Sequence, residues 1–227
     1  MRQLTMKEIK PKQIRFYQTE SGKIPYKEWF DGLKDCKVRH RIRARLDRVE
    51  LGNFGDYKVL SNSVSELRFT FGSGYRIYFA EQNDYFIILL CGGDKKVRKK
   101  TLIPPNNTGM IYRSAVMNKD KILHNTVEYH SDLLMSLRDT KEAFGYLQVA
   151  LEEYQEDDNL EAFLCALKNV AAAQGGITRL AKTTKLNRQN LYKILSEKGN
   201  PRLDNFGAIL KGLGFKLAIE PYNQTHG

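Results

Sequence analysis

Cysteine is scarce in this 227-residue chain: Cys36, Cys91 and Cys165 are far apart and odd in number, with no Cys-x-x-Cys pair and no histidine cluster. That pattern argues against a disulfide framework and against a structural zinc site. It predicts three small buried thiols in a reducing compartment. Long apolar runs are missing as well. No stretch approaches the ~20 residues of a membrane span, and the start, MRQLTMKEIKPK, has no signal-peptide apolar core. The expectation is a cytoplasmic protein with no membrane, metal or cofactor in its work.

What is abundant is positive charge, unevenly placed. The net charge is +11; residues 1–110 hold 22 Lys and Arg against 12 Asp and Glu, residues 127–161 hold 2 against 10, and residues 162–227 hold 10 against 3. The order basic, acidic, basic suggests two polyanion-binding surfaces with an acidic counter-surface between them, although any one charge run is equally explained as a solvated face. The length suits two small domains. Between them, KKTLIPPNNTGMIYRSAVMNKDKILHNTVEY carries Pro104-Pro105 and Asn-Asn-Thr-Gly with no sustained apolar period, which marks a join. The predicted division is 1–100, a linker 101–126, and 127–227.

In the first domain, Ile14–Thr19 alternates as a strand does. Pro25 opens a helix at Tyr26–Leu33 with Trp29, Phe30 and Leu33 on one face. Lys37–Leu51 places Val38, Ile42, Leu46 and Val49 inward and Arg39, Arg41, Arg43, Arg45 and Arg48 outward. After the turn residues 52–56 come strand-like runs Ser65–Phe71, Tyr75–Ala80 and Tyr85–Cys91, joined at hairpin spacing. The predicted order is β-α-α-β-β-β, a small antiparallel sheet with helices on one face. Arg68 and Arg76 fall on adjacent strands, sharing a face with Tyr75 or Tyr78 according to register, and Lys95-Lys96 follow the last strand. Such a cluster suits a phosphodiester and charge developing on phosphorus; an ordinary solvated sheet face has the same composition.

The runs RARLDRVELGNFGD and ELRFTFGSGYRIYF…IILLCGGDKK resemble the RelE/ParE superfamily of type II toxins, in its HigB-like addiction-module-killer branch, over about residues 14–100. The resemblance implies a metal-independent, ribosome-dependent mRNA endonuclease with Arg76 on the phosphate, Arg68 on the RNA, and Lys95 and Lys96 as the basic residues after the final strand; with Tyr78 from the strand pattern, these are the candidate catalytic residues. Family members continue into a helix that can carry a further catalytic side chain; here Val97–Pro105 stands in its place, which no helix crosses intact. The related ParE branch acts on gyrase.

The second domain is helix-patterned throughout. Asp139-Thr140 cap a helix at Lys141–Glu153, and Leu160–Gln174 forms the next. ITRLAKTTKLNRQNLYKILSEKGNPRLDNFGAILKGLGFKLAI then divides into helices 177–183, 187–196 and 203–213 and a strand-like tail 215–219. Ala181 lets two helices approach, Leu186 plugs the turn, Leu191 and Ile194 anchor the second helix, and Asn187 caps it. Lys185 stands where glycine is common and needs a left-handed backbone. Arg188, Gln189, Asn190 and Lys193 can read base edges in a major groove, with Asn187 and Thr178 beside them.

From Tyr129 to Tyr222 the chain resembles the HigA-like antitoxins, or addiction module antidote proteins, through LAKTTKLNRQNLYKILSEKGNPRLDNF. The resemblance implies a helix-turn-helix domain (about 175–213) that binds operator DNA as a dimer, contacts made by the last helix and tail, autorepression, and an N-terminal segment that covers the toxin. The fold class expected is α+β: a RelE-like sheet with two helices, joined to an all-α helix-turn-helix domain with a short C-terminal strand. The function expected is a toxin and antitoxin fused, with the acidic 127–161 segment lying on the basic toxin face and the mRNA-cleaving activity inhibited or lost. The rivals are a transcription regulator with a dead toxin-like half and a gyrase inhibitor.

Overall fold

A computed structural model describes residues 11–60, 64–94, 125–196 and 198–219. The chain divides into two compact units, Met1–Leu133 and Leu134–Gly227.

In the first unit the alternating runs become strands β1 (Gln13–Tyr17), β2 (Tyr57–Val59), β3 (Ser65–Arg68), β4 (Tyr75–Gln82), β5 (Phe86–Asp94) and β6 (Thr126–Glu128). Helices α1 (Pro25–Asp31) and α2 (Cys36–Glu50) lie between β1 and β2. The sheet order is β2-β3-β4-β5-β1-β6. It is mixed, not antiparallel as expected, because β1 runs parallel to β5 with Ile14 opposite Ile87 and Phe16 opposite Leu89. Alternation tells which face a residue takes, not which strand lies beside it; a parallel neighbour needs a long connection, and the helices and strands between β1 and β5 supply one. β2 and β6 are three-residue edge strands, too short to register as periodic signals.

One face of this sheet is helix-covered. Pro25 sits at the first turn of α1 as expected, and Asp35 caps α2 by accepting from the Lys37 and Val38 N–H groups. Ile42, Leu46 and Val49 are fully buried with Leu67, Ile77, Ile87 and Leu89. Gly92 is required where α1 crosses β5, since a Cβ there would overlap the Trp29 indole.

The arginines of α2 are not the solvated outside that their pattern suggests. Arg43 and Arg48 are only 6% and 4% exposed. The Arg43 guanidinium lies over the Phe30 ring at 5.1 Å, and Arg41 lies over Phe71 at 5.2 Å. Arg39 donates to the Leu33 carbonyl at 2.6 Å. Long cationic side chains can bury their stems and stack their planes, so part of the first unit's positive charge is structural.

The second unit is helical. The helix α3 (Tyr129–Ser136) crosses the division, and α4 (Thr140–Asp157), α5 (Leu160–Ala173), α6 (Gly176–Thr184), α7 (Arg188–Ile194) and α8 (Leu203–Gly212) follow. Asp139 caps α4 through the Lys141 and Glu142 N–H groups, and Asn159 caps α5 through Ala162 N–H. Buried Asn169 donates to the Tyr146 hydroxyl at 3.1 Å, and α8 approaches α6 at Gly212, against Leu180 and Thr184. Phe215–Ile219, expected as a strand, pairs with no described strand; the Phe215 N–H instead closes onto the Leu210 carbonyl, and its ring packs at 6.3 Å from Phe144. No helix among the described residues is long and apolar enough to cross a membrane.

Candidate nucleic-acid interfaces

In the first unit, register brings the expected residues together. Arg68 and Arg76 are direct cross-strand partners on β3 and β4, with Glu66 opposite Tyr78 two pairs further along. Period-2 geometry therefore places Arg68, Arg76, Tyr78 and Glu66 on one face, turned from the helices, and sends Tyr75 to the other. On the same face, β5 contributes Gly93 opposite Arg76 and Cys91 opposite Tyr78. A Cβ on Gly93 would meet nothing within 4 Å. Tyr78 packs on a small apolar cluster with Ala80, Ile88, Leu90 and Cys91, where a shift between Tyr78 and Phe79 admits an extra β5 residue. Burial pushes the Cys91 thiol up to about 12, as expected of an inert buried cysteine; Cys36, by contrast, is exposed.

The two guanidinium groups are held differently. Arg68 Nε donates to Glu66 Oε1 at 3.0 Å, and its Nη1 lies 3.6 Å from Asp56. Arg76 donates to the Phe69 and Tyr75 carbonyls at 3.2 and 2.8 Å, and its Nε is buried with no partner among the described residues. Charge on Arg68 is thus locally balanced by acids, while Arg76 donates to neutral backbone carbonyls. Glu66 is the residue the sequence reading passed over. Its signal was its place two residues before Arg68, which in a strand means the same face. Lys95 and Lys96 lie outside the described residues, as do the 101–124 part of the join and the Val97–Pro105 run.

The acidic stretch begins elsewhere than expected. Thr126–Glu128 pairs antiparallel with β1, and Arg15 donates to Thr126 Oγ1 at 3.1 Å. Tyr129 is 3% exposed, edge-on to Phe16 with ring centroids 5.5 Å apart, and Asp132 pairs with Lys27 at 2.6 Å. Desolvation lowers the Lys27 pKa, but Asp132 and Asp31 together more than offset it and the net shift is upward. β6 stands three strands from β4, about 14 Å at ordinary strand spacing. Residues 127–133 therefore occupy the far edge of the sheet, not the arginine pair, because their own alternation and Tyr129 suit an edge strand and an aromatic pocket.

In the second unit, α6 and α7 meet at a three-residue turn. Lys185 adopts φ 60, the left-handed backbone its position called for. Leu191 and Ile194 are buried and Leu186 half-buried. Asn187 Oδ1 accepts from Asn190 N–H at 2.7 Å, so its side chain serves as the cap of α7. Arg188, Gln189 and Lys193 are exposed, as is Thr178 on α6, while Asn190 is half-buried. Tyr192, not foreseen, is 54% exposed beside Lys193. The result is a short, well-capped helix presenting an arginine, an amide and a lysine on a packed helical base.

Residues 129–221 match the family described as probable addiction module antidote protein. An uncharacterized protein of Haemophilus influenzae Rd is 40% identical over 79 residues, which cover 35% of this chain and 80% of that protein. A second from the same organism is 31% identical over 74 residues, covering 33% and 75% respectively. Through residues 129–221, the chain belongs to the addiction module antidote family. No solved structure matches it significantly.

Proposed function

We propose that this chain joins a toxin and its antidote in one polypeptide, with the first unit as a metal-independent, ribosome-dependent mRNA endonuclease of RelE/HigB type and the second as a HigA-like, autorepressing operator-binding domain. The observation that carries the first half is the Arg68–Arg76 cross-strand pair with Tyr78 on the same face. Two guanidiniums and a phenol so placed can bind a phosphodiester and stabilise charge on phosphorus while a ribose 2′-hydroxyl attacks. For the second half, Arg188 and Gln189 project from the first turn of a capped helix, where side chains pair with guanine and adenine edges. A homodimer through the C-terminal unit would match a two-fold operator.

A second reading keeps the antidote and makes the first unit a catalytically dead module of a transcription regulator. The observation favouring it is that Arg68 is already balanced by Glu66 and Asp56. Expression of residues 1–133, which include β6 and its aromatic contact, separates the two. Growth arrest with cleaved mRNA, lost in Arg76→Ala and absent for the intact chain, supports the endonuclease. Folded protein without arrest supports the regulator, and altered supercoiling with intact mRNA points to gyrase. For DNA, Arg188→Ala with Gln189→Ala should abolish operator preference; specific binding that survives would overturn the assignment of α7.

A further inference from the structure

One side chain on α7, Tyr192, has no part in the hydrogen-bonding readout by Arg188 and Gln189. Leu191 and Ile194 are 0% and 6% exposed, so they fix the rotation of α7 about its axis and decide which side chains face outward. The helix is pinned at both ends. Asn187 caps its start, and the last turn closes through the Leu195 N–H on the Leu191 carbonyl at 3.0 Å and the Ser196 hydroxyl on the Lys193 carbonyl at 2.8 Å. Spacing of four residues puts Arg188 in line with Tyr192 and Gln189 in line with Lys193, and these are the exposed residues of α7. A lone exposed ring is ordinary on a protein surface, but this one differs from the rest. Every other described aromatic side chain of the second unit has a ring or hydrogen-bond partner; Tyr192 has neither among the described residues.

Its row decides what the ring can meet. Four residues advance about 6 Å along a helix axis, and base pairs are spaced by about 3.4 Å. A groove that admits Arg188 therefore brings Tyr192 within about two base pairs of the base that Arg188 reads. The only alkyl group on the base edges of a major groove is the thymine C5-methyl; the other distinguishing groups are hydrogen-bond donors and acceptors. A ring that is 54% exposed gains from losing water against an apolar group, and in that groove the thymine methyl is the one on offer. We infer that Tyr192 is a specificity-determining residue of α7 that reads the methyl of a thymine within about two base pairs of the base taken by Arg188. The inference rests on the operator-binding reading of the second unit and adds an apolar contact to the hydrogen-bonding readout of Arg188 and Gln189. It does not depend on what the first unit does.

The test uses the intact chain and a DNA duplex that it selects from a random-sequence library. Each thymine of that duplex is replaced in turn by deoxyuridine, which removes the C5-methyl and leaves base pairing unchanged. The expected result is a position at which deoxyuridine weakens binding about fourfold, the worth of one buried methyl, close to the base pair at which Arg188→Ala loses discrimination. Tyr192→Ala should bind the thymine and deoxyuridine duplexes equally, whereas Tyr192→Phe, which keeps the ring, should keep the fourfold ratio. The two duplexes and two side chains form a double-mutant cycle, and because the ratio is read within one variant, a general loss of affinity does not imitate the result. A selected duplex in which no deoxyuridine matters, or a Tyr192→Ala variant that keeps the preference for thymine, overturns the inference; binding that still depends on Arg188 then leaves the operator reading standing. Selection that enriches no sequence overturns the operator reading and this inference with it.

Discussion

Removing the Tyr129 side chain should unfold the first unit at much lower denaturant. The ring is buried against Phe16 and comes from a residue more than 110 positions further along the chain. Truncating a buried aromatic to alanine costs about 3–5 kcal/mol, from lost transfer energy and the cavity left behind, and the edge-to-face pair adds about 0.5–1.5 kcal/mol. The hydroxyl acts the other way: it is buried with no hydrogen-bond partner among the described residues, and an unsatisfied buried donor is itself unfavourable by about 1–3 kcal/mol. Tyr129→Phe should therefore be neutral or stabilising by about 1 kcal/mol. The chain's single tryptophan makes the assay selective, since Trp29 lies in the first unit, 5.8 Å from the Tyr26 ring. In urea, followed by Trp29 fluorescence, Tyr129→Ala should shift the midpoint down by about 2 M at an m-value of about 2 kcal/mol/M, with m unchanged. An alanine variant within 1 kcal/mol of the parent, or a phenylalanine variant as damaged as the alanine one, would refute the reasoning.

Alkaline pH should weaken the same unit. Burial raises the pKa of Tyr26, Tyr129 and Cys91, so the folded state keeps protons that the unfolded chain releases. Stability is then fully present below about pH 8.5 and falls as pH rises, first through the cysteine range and then past about pH 10, by ~1.4 kcal/mol per pH unit for each group. Urea titrations at pH 8 and 11 check this, and Tyr129→Phe should show the shallower fall. In the second unit, Lys185→Gly relieves a left-handed backbone at φ 60 and should stabilise by about 1 kcal/mol. That would appear as a rise of about 4–8 °C in the helical melting transition, with the Trp29 transition unmoved.

Local chemistry alone determined much of this protein. Period 3.6 and capping residues marked α1, α2 and α4 to α8, Pro25 and Asp139 set helix starts, and Lys185 in the turn before α7 disclosed a left-handed backbone. Period 2 put Arg68 and Arg76 on strands and made Tyr75 and Tyr78 alternatives. What alternation could not supply was the partner. Pairing decided for Tyr78, set Glu66 against Arg68, and turned an antiparallel expectation into a mixed sheet. Arginines spaced along α2 look alike in sequence, yet the rings of Phe30 and Phe71 turn Arg43 and Arg41 into packing groups. The acidic stretch was legible as charge, but its first residues act through backbone pairing at β1 and a ring in a pocket. Helix and capping signals are local and survive in the sequence, whereas strand neighbours and aromatic pockets join residues far apart along the chain, so they exist only once the chain has folded.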